Sequence, residues 1–182
     1  ASVALVAVAR SPEAYRAALR YLLVSIMASM AYLAGVALLY GRYGTLDWAS
    51  LAAQAGPEPA AAAALALVSA GLLLKTALFP LHFWLPAAHG NAPGPVSAVL
   101  SALVVKVGFY LLLRYWFGIL DGTAGPAAYG LIGLFGAVAV IWGGFQALAA
   151  PRLKLLVAYS TVAQLGYLFL AFPALASATG QL

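Results

Sequence analysis

Residues 75–95 read Lys75-Thr76-Ala77-Leu78-Phe79-Pro80-Leu81-His82-Phe83-Trp84-Leu85-Pro86-Ala87-Ala88-His89-Gly90-Asn91-Ala92-Pro93-Gly94-Pro95. A lysine opens the stretch, and Pro80 and Pro86 punctuate it. Upstream, residues 60–74 contain only Ala, Leu, Val, Ser and Gly. The stretch therefore interrupts an apolar helix. Pro80 lacks an amide hydrogen and clashes with the carbonyl four residues back, beside Lys75. A broken helix at membrane depth is tolerated where it is buried in protein or lines a cavity, and transporters place ion sites at such breaks. A plain proline kink is the alternative reading of this feature alone.

The rest of the chain puts that break in a membrane. Of 182 residues, 65% are hydrophobic and 7% charged. A soluble domain carries ~45–50% apolar residues and ~25% charged ones. So few charges cannot wet the surface of a soluble globule, and disorder needs the opposite composition. The nine Lys and Arg are spread along the chain, so the net charge of +5 makes no basic stripe and nucleic acid is excluded as a partner. With no cysteine there is no disulfide, iron–sulfur cluster or Cys-ligated zinc. The two histidines, without a nearby acid, are too few for a metal site. No phosphate-binding or dinucleotide glycine motif is present, so no cofactor is expected.

A span needs ~20 apolar residues. Five are predicted, at about 17–40, 60–85, 95–117, 126–149 and 153–175, giving an all-α, polytopic helix bundle with one discontinuous helix. Ser11-Pro12-Glu13 reads as N-cap, first-turn proline and first-turn acid. Glycine and proline junctions separate the spans. Residues 1–9 are apolar but too short to cross, and read as the tail of an earlier helix. Arg10, Arg16 and Arg20 fall in one junction, and Arg152 and Lys154 in another. The bias of Lys and Arg toward the inner side puts junctions 10–20, 86–95 and 150–154 in the cytoplasm, with the chain multi-pass in the cell (inner) membrane.

Two lysines lie outside the junctions. Lys75 and Lys106 fall roughly 16–22 Å into their spans, near the midplane. Each costs about 2.5–3.5 kcal/mol there. The four acids, Glu13, Asp47, Glu58 and Asp121, all lie at helix ends or in loops. Either the lysines are neutral part of the time or their counter-ion lies outside residues 1–182. A proton relay or ion site is the functional reading; a structural ion pair or a lysine bonded to backbone carbonyls is the bland one. His82 and His89 flank Pro86 and suit proton access, or a plain place at an interface. Ser160 and Gln164 share a face of the last span and could contact a water chain or bond a neighbouring helix. Thr161 lies beside them. Trp84, Tyr115 and Trp116 read as interface aromatics, and Gly133, Gly136, Gly143 and Gly144 as close helix packing.

The run from Lys75 to His89, then Ala92-Pro93-Gly94-Pro95-Val96-Ser97-Ala98, Lys106-Val107-Gly108-Phe109-Tyr110 and Arg114, resembles the antiporter-like, proton-conducting subunits of respiratory complex I, membrane-bound hydrogenases and multisubunit Na⁺/H⁺ antiporters of Mrp type. The similarity continues through Leu153–Tyr167. It implies that Lys75 and Lys106 are relay positions, that His82 and His89 belong to the loop at the helix break, and that the partners are other membrane subunits, the lipid bilayer and protons, with Na⁺ as a second coupling ion. It also implies an inverted repeat, with residues 1–123 ending the first half and 124–182 opening the second. A glutamate pairing with Lys75 is expected upstream of Ala1. Gln164 with Tyr159-Ser160-Thr161 resembles the Mrp D-type subunit more than a complex I subunit. Rival readings are a purely structural membrane subunit and a quinone-binding redox subunit.

Overall fold

The computed structural model describes residues 2–8, 11–120 and 122–180. Arg10 and Asp121, two of the junction charges, lie outside the described residues. Among the described residues every regular element is helical. Five helices are long and apolar enough to cross a membrane: Pro12–Tyr43, Pro59–Thr76, Gly94–Ile119, Pro126–Leu148 and Leu153–Ala178.

Short α1 (Ser2–Ala7) precedes α2 (Pro12–Tyr43). The Ser11 hydroxyl accepts from the Ala14 amide at 3.1 Å, so the expected cap forms. At the far end Gly44 takes φ 69° and its amide bonds Tyr40 O at 2.8 Å. Short α3 (Trp48–Gln54), about two turns, follows, then α4 (Pro59–Thr76). A Cβ on Gly71 would meet Ala28 O at 2.5 Å, and one on Gly35 would meet Ala64 O at 2.9 Å. Glycine at both sites lets α2 and α4 touch backbone to backbone.

The second span, expected over 60–85 as a discontinuous helix, is broken, and earlier than its prolines. It ends at Thr76, four residues before Pro80, because Ala77 turns into the left-handed region at φ 53°. Pro80 has no amide to offer Thr76 and disfavours helix at Phe79, so the chain leaves the helix early. A 3₁₀ turn (Leu81–Trp84) leads into α5 (Leu85–Asn91), where Pro86 sits in the first turn and needs no donor. Residues 86–91, expected in a junction, are thus helical.

The third span is α6 (Gly94–Val99), a π turn (Leu100–Val104), α7 (Val105–Arg114) and a second π turn (Tyr115–Ile119). Gly108 lets α7 press on the end of α4, since a Cβ there would meet Thr76 Cγ2 at 2.7 Å. The last two spans, α8 (Pro126–Leu148) and α9 (Leu153–Ala178), pack on each other along most of their length. Gly136 and Gly166 face each other's carbonyls, and Gly133 and Gly143 make similar close approaches, while a Cβ on Gly144 would meet nothing. An aromatic cluster ties the third span to this pair, with Phe109–Phe169 and Trp116–Tyr129 centroids 5.1 and 5.0 Å apart.

Trp84, Tyr115 and Trp116 are not interface aromatics within this bundle. They are 1%, 5% and 5% exposed. Each polar tip has a protein partner, so none needs a wet surface: Trp84 Nε1 donates to Leu74 O at 2.9 Å, Trp116 Nε1 to Ser69 Oγ at 2.8 Å, and the Tyr115 and Tyr32 hydroxyls lie 3.2 Å apart.

Candidate functional site at the broken helix

The site grows from the end of α4. The last carbonyls of a helix have no intrahelical donor, and inside a membrane water does not supply one. Here the break supplies them. Leu73 O accepts from the Thr76 hydroxyl at 3.1 Å and from the Leu78 amide at 3.4 Å. Leu74 O accepts from Ala77 N at 3.3 Å and from Trp84 Nε1. Trp84 is itself held by stacking on Tyr21 of α2, 4.7 Å between centroids and 12° between planes.

Lys75 sits in the last turn of this half-helix. The aligned peptide dipoles leave partial negative charge at that end, which favours a cation. The side chain is half-buried and borders two cavities. One, of ≈ 250 Å³, is lined with Tyr21, Ser25, Trp84 and Val104. The other, of ≈ 340 Å³, is lined with Tyr32, Leu72, Leu103, Val107 and Gly108. Among the described residues the ion pair is Arg42 with Glu58, 2.8 Å apart, and no carboxylate lies within ion-pair distance of Lys75 or Lys106.

Lys106 follows the first π turn by one residue. Its neighbours Val104 and Val107 line the Lys75 cavities, but Lys106 itself points to the exposed side of α7. The two lysines therefore belong to adjoining helices without sharing a cavity.

The histidines separate. His82, half-buried, stacks on Phe79 at 5.4 Å and lines a ≈ 510 Å³ cleft together with Arg20 and Arg152. Its Nδ1 is buried without a hydrogen-bond partner among the described residues. His89 is fully buried. Its Nδ1 lies 2.8 Å from Ser97 Oγ, a contact that ties α5 to α6, and its Nε2 has no partner among the described residues. Ser97, not singled out in the sequence, carries no signal beyond its spacing of eight from His89.

Ser160 is half-buried and Gln164 is exposed. On this stretch of α9 the polar contact to the third span is made instead by Thr161, whose hydroxyl lies 3.3 Å from Ser101 Oγ and donates to Val157 O at 2.9 Å. Lys154 Nζ donates to Ala92 O at 3.0 Å. That bond, and the shared lining of Arg20, Asn91 and Arg152, puts the starts of α2 and α9 and the end of α5 at one end of the bundle.

Outside the spans the electrostatics are local. Hydrogen bonds from Tyr43 (2.6 Å) and Arg42 hold the Glu58 carboxyl below its usual range. The amide and hydroxyl of Ser50 do the same for Asp47.

Comparison with known proteins fits this frame. The NADH-quinone oxidoreductase subunit N of Desulforudis audaxviator is 41% identical over 159 residues, which cover 85% of this chain and 32% of that protein. The archaeal membrane-bound sulfane sulfur reductase, a respiratory membrane complex, contains a chain that superimposes with a TM-score of 0.86 at 33% identity, covering 94% of this chain and 36% of its own. The Mrp complex of Dietzia sp. DQ12-45-1b contains another, with a TM-score of 0.84 at 30% identity, covering 94% and 33%. The chain thus spans about a third of the length of the relatives it matches. The family model described as NADH:quinone oxidoreductase/Mrp antiporter, transmembrane, matches residues 1–181, and the chain belongs to that antiporter-like membrane family.

Proposed function

We propose that this chain moves protons across a membrane by a lysine relay, as part of an antiporter-like subunit. One observation carries the reading. Lys75 sits at the negative end of a half-helix broken inside the apolar layer, between two cavities, with no carboxylate in reach among the described residues. A group so placed has electrostatic support that a movable partner charge can add to or withdraw.

In this reading protons reach the break from the end that carries Arg20 and Arg152, which the charge bias assigns to the cytoplasm. His82 lines the cleft there, and His89 lies between that cleft and α6. Lys75 takes the proton, and Lys106 passes it on across the exposed side of α7. Water bridges the gaps between them. Ser160 and Gln164 offer polar contacts on α9 for that water. Residues 1–123 close one repeat of the fold and 124–182 open the next. The partners are other membrane subunits of the kind the relatives' names describe, in the cell (inner) membrane, and Na⁺ is the alternative coupling ion.

Gln164 and Tyr159-Ser160-Thr161 favour an Mrp-type subunit. The 41% identity to a subunit N favours the complex I type. Replacing Lys75 or Lys106 by Ala in the intact protein, reconstituted with its partners in vesicles, should abolish proton translocation while leaving assembly intact. Unchanged translocation in both variants defeats the relay. Loss of assembly with unchanged activity per assembled complex points to the structural subunit instead, and inhibitor-sensitive quinone turnover by this subunit points to the redox reading.

A further inference from the structure

The cleft beside His82 holds more polar chemistry than a proton path needs. It is ≈ 510 Å³, within the usual size of a ligand pocket, and none of its lining residues is acidic. Two arginines, Arg20 from α2 and Arg152 from the cap of α9, line it, and neither is in an ion pair among the described residues. Two cations lining one space favour an anion bound between them. Two further groups in the wall add hydrogen-bonding capacity. His82 has a buried ring nitrogen without a partner among the described residues, and Gln146 brings a half-buried amide. The 26-residue α9 starts here with no side-chain cap, so its first amides add positive partial charge.

The opposite wall is apolar. Phe83 and Trp142 line the same cleft and are 50% and 43% exposed, and on α8 the outward face continues through Phe145 and Leu148. An oxyanion bound by two arginines and attached to hydrocarbon satisfies both walls at once. We infer that this cleft binds the phosphate headgroup of an anionic phospholipid, held by Arg20 and Arg152, with its acyl chains along Phe83 and Trp142. Guanidinium forks match phosphate oxygens in geometry as well as in charge. The site shares His82 with the proposed proton entry, but lipid binding there does not depend on Lys75 or Lys106 carrying protons.

The test uses the intact protein containing this chain, in phosphatidylcholine nanodiscs doped with phosphatidylglycerol. Phosphatidylglycerol should raise the unfolding temperature of the wild type and of Arg16→Gln, a change at the same end of α2 that does not line the cleft. The double variant Arg20→Gln/Arg152→Gln should unfold like wild type in pure phosphatidylcholine yet lose the response, with anionic lipid bound about tenfold or more weakly. A double variant that still responds fully, or a wild type that ignores phosphatidylglycerol, overturns the site. Inorganic phosphate giving the full shift in pure phosphatidylcholine overturns the lipid and leaves a free phosphate as the ligand.

Discussion

The indole of Trp84 closes the gap in the second span by donating to the Leu74 carbonyl at 2.9 Å. One side chain from beyond the break thus replaces a donor that the helix lost when it stopped at Thr76. Trp84→Phe keeps the stacking on Tyr21 and deletes only the donor. It should cost about 0.5–1.5 kcal/mol, the loss of one hydrogen bond, since Ala77 N still donates to Leu74 O at 3.3 Å. Thermal unfolding of the purified protein measures it, and a neutral result would mean that the Ala77 amide alone satisfies Leu74.

The α8–α9 contact predicts opposite outcomes for two glycines of α8. A methyl group at Gly136 meets Gly166 O at 2.8 Å and Leu170 N at 3.1 Å, both backbone atoms that cannot turn aside. Gly136→Ala should destabilise by about 1–3 kcal/mol. Gly144→Ala meets nothing within 4 Å and should be neutral, or stabilising by up to ~1 kcal/mol through helix propensity. Unfolding midpoints of the two variants, compared with wild type, decide it; equal effects refute the packing argument.

Glu58 predicts an acid-sensitive contact at the end of the bundle opposite Arg152. Its hydrogen bonds from Tyr43 and Arg42 place its folded-state pKa below the unfolded value of about 4.5. The sign follows by linkage: the contribution is complete above that pH and is lost as the pH falls through the lowered folded value. The unfolding temperature of wild type should therefore fall more steeply below about pH 4.5 than that of Glu58→Gln, whose amide does not titrate. Parallel curves for the two proteins contradict the prediction.

Ser97 predicts a link between stability and proton access. Its hydroxyl is the partner of the fully buried His89 ring. Ser97→Ala should cost about 1 kcal/mol by stripping that partner. Under the proposed function it should also slow proton uptake, whereas Ser97→Thr, which restores a hydroxyl, should recover much of the rate. Uptake by Ser97→Ala at the wild-type rate would leave Ser97 a purely structural residue.

Much of this architecture was readable before any coordinates. Five spans followed from runs of apolar residues long enough to cross, and the Ser11 start of the first followed from cap chemistry. The break was visible in Pro80 and Pro86, but its place was not. The helix yields at Ala77, since the proline's demands fall on the residues before it. Tyr115 and Trp116 were misread because an aromatic near a span end looks the same whether its polar tip meets water or, as here, Tyr32 and Ser69. Among the glycines, spacing could not separate Gly143, against Tyr159 and Ala163, from Gly144, which faces open space. Nothing in Leu100–Val104 announces a π turn, because its residues are ordinary helix formers and the widening is set by neighbours.

That π turn makes the bearing of Lys106 a matter of counting. It is in effect an α-helix with one residue inserted. Loss of a single codon between 100 and 104 would let the segment close into regular helix, and one residue is about 100° of rotation. Lys106 would swing to another compass point relative to Gly94, or Gly108 would leave its seat on Thr76, with every remaining amino acid unchanged. Substitution scans preserve the count and so leave this variable untouched. Only a deletion, or an insertion that restores the length, reads it.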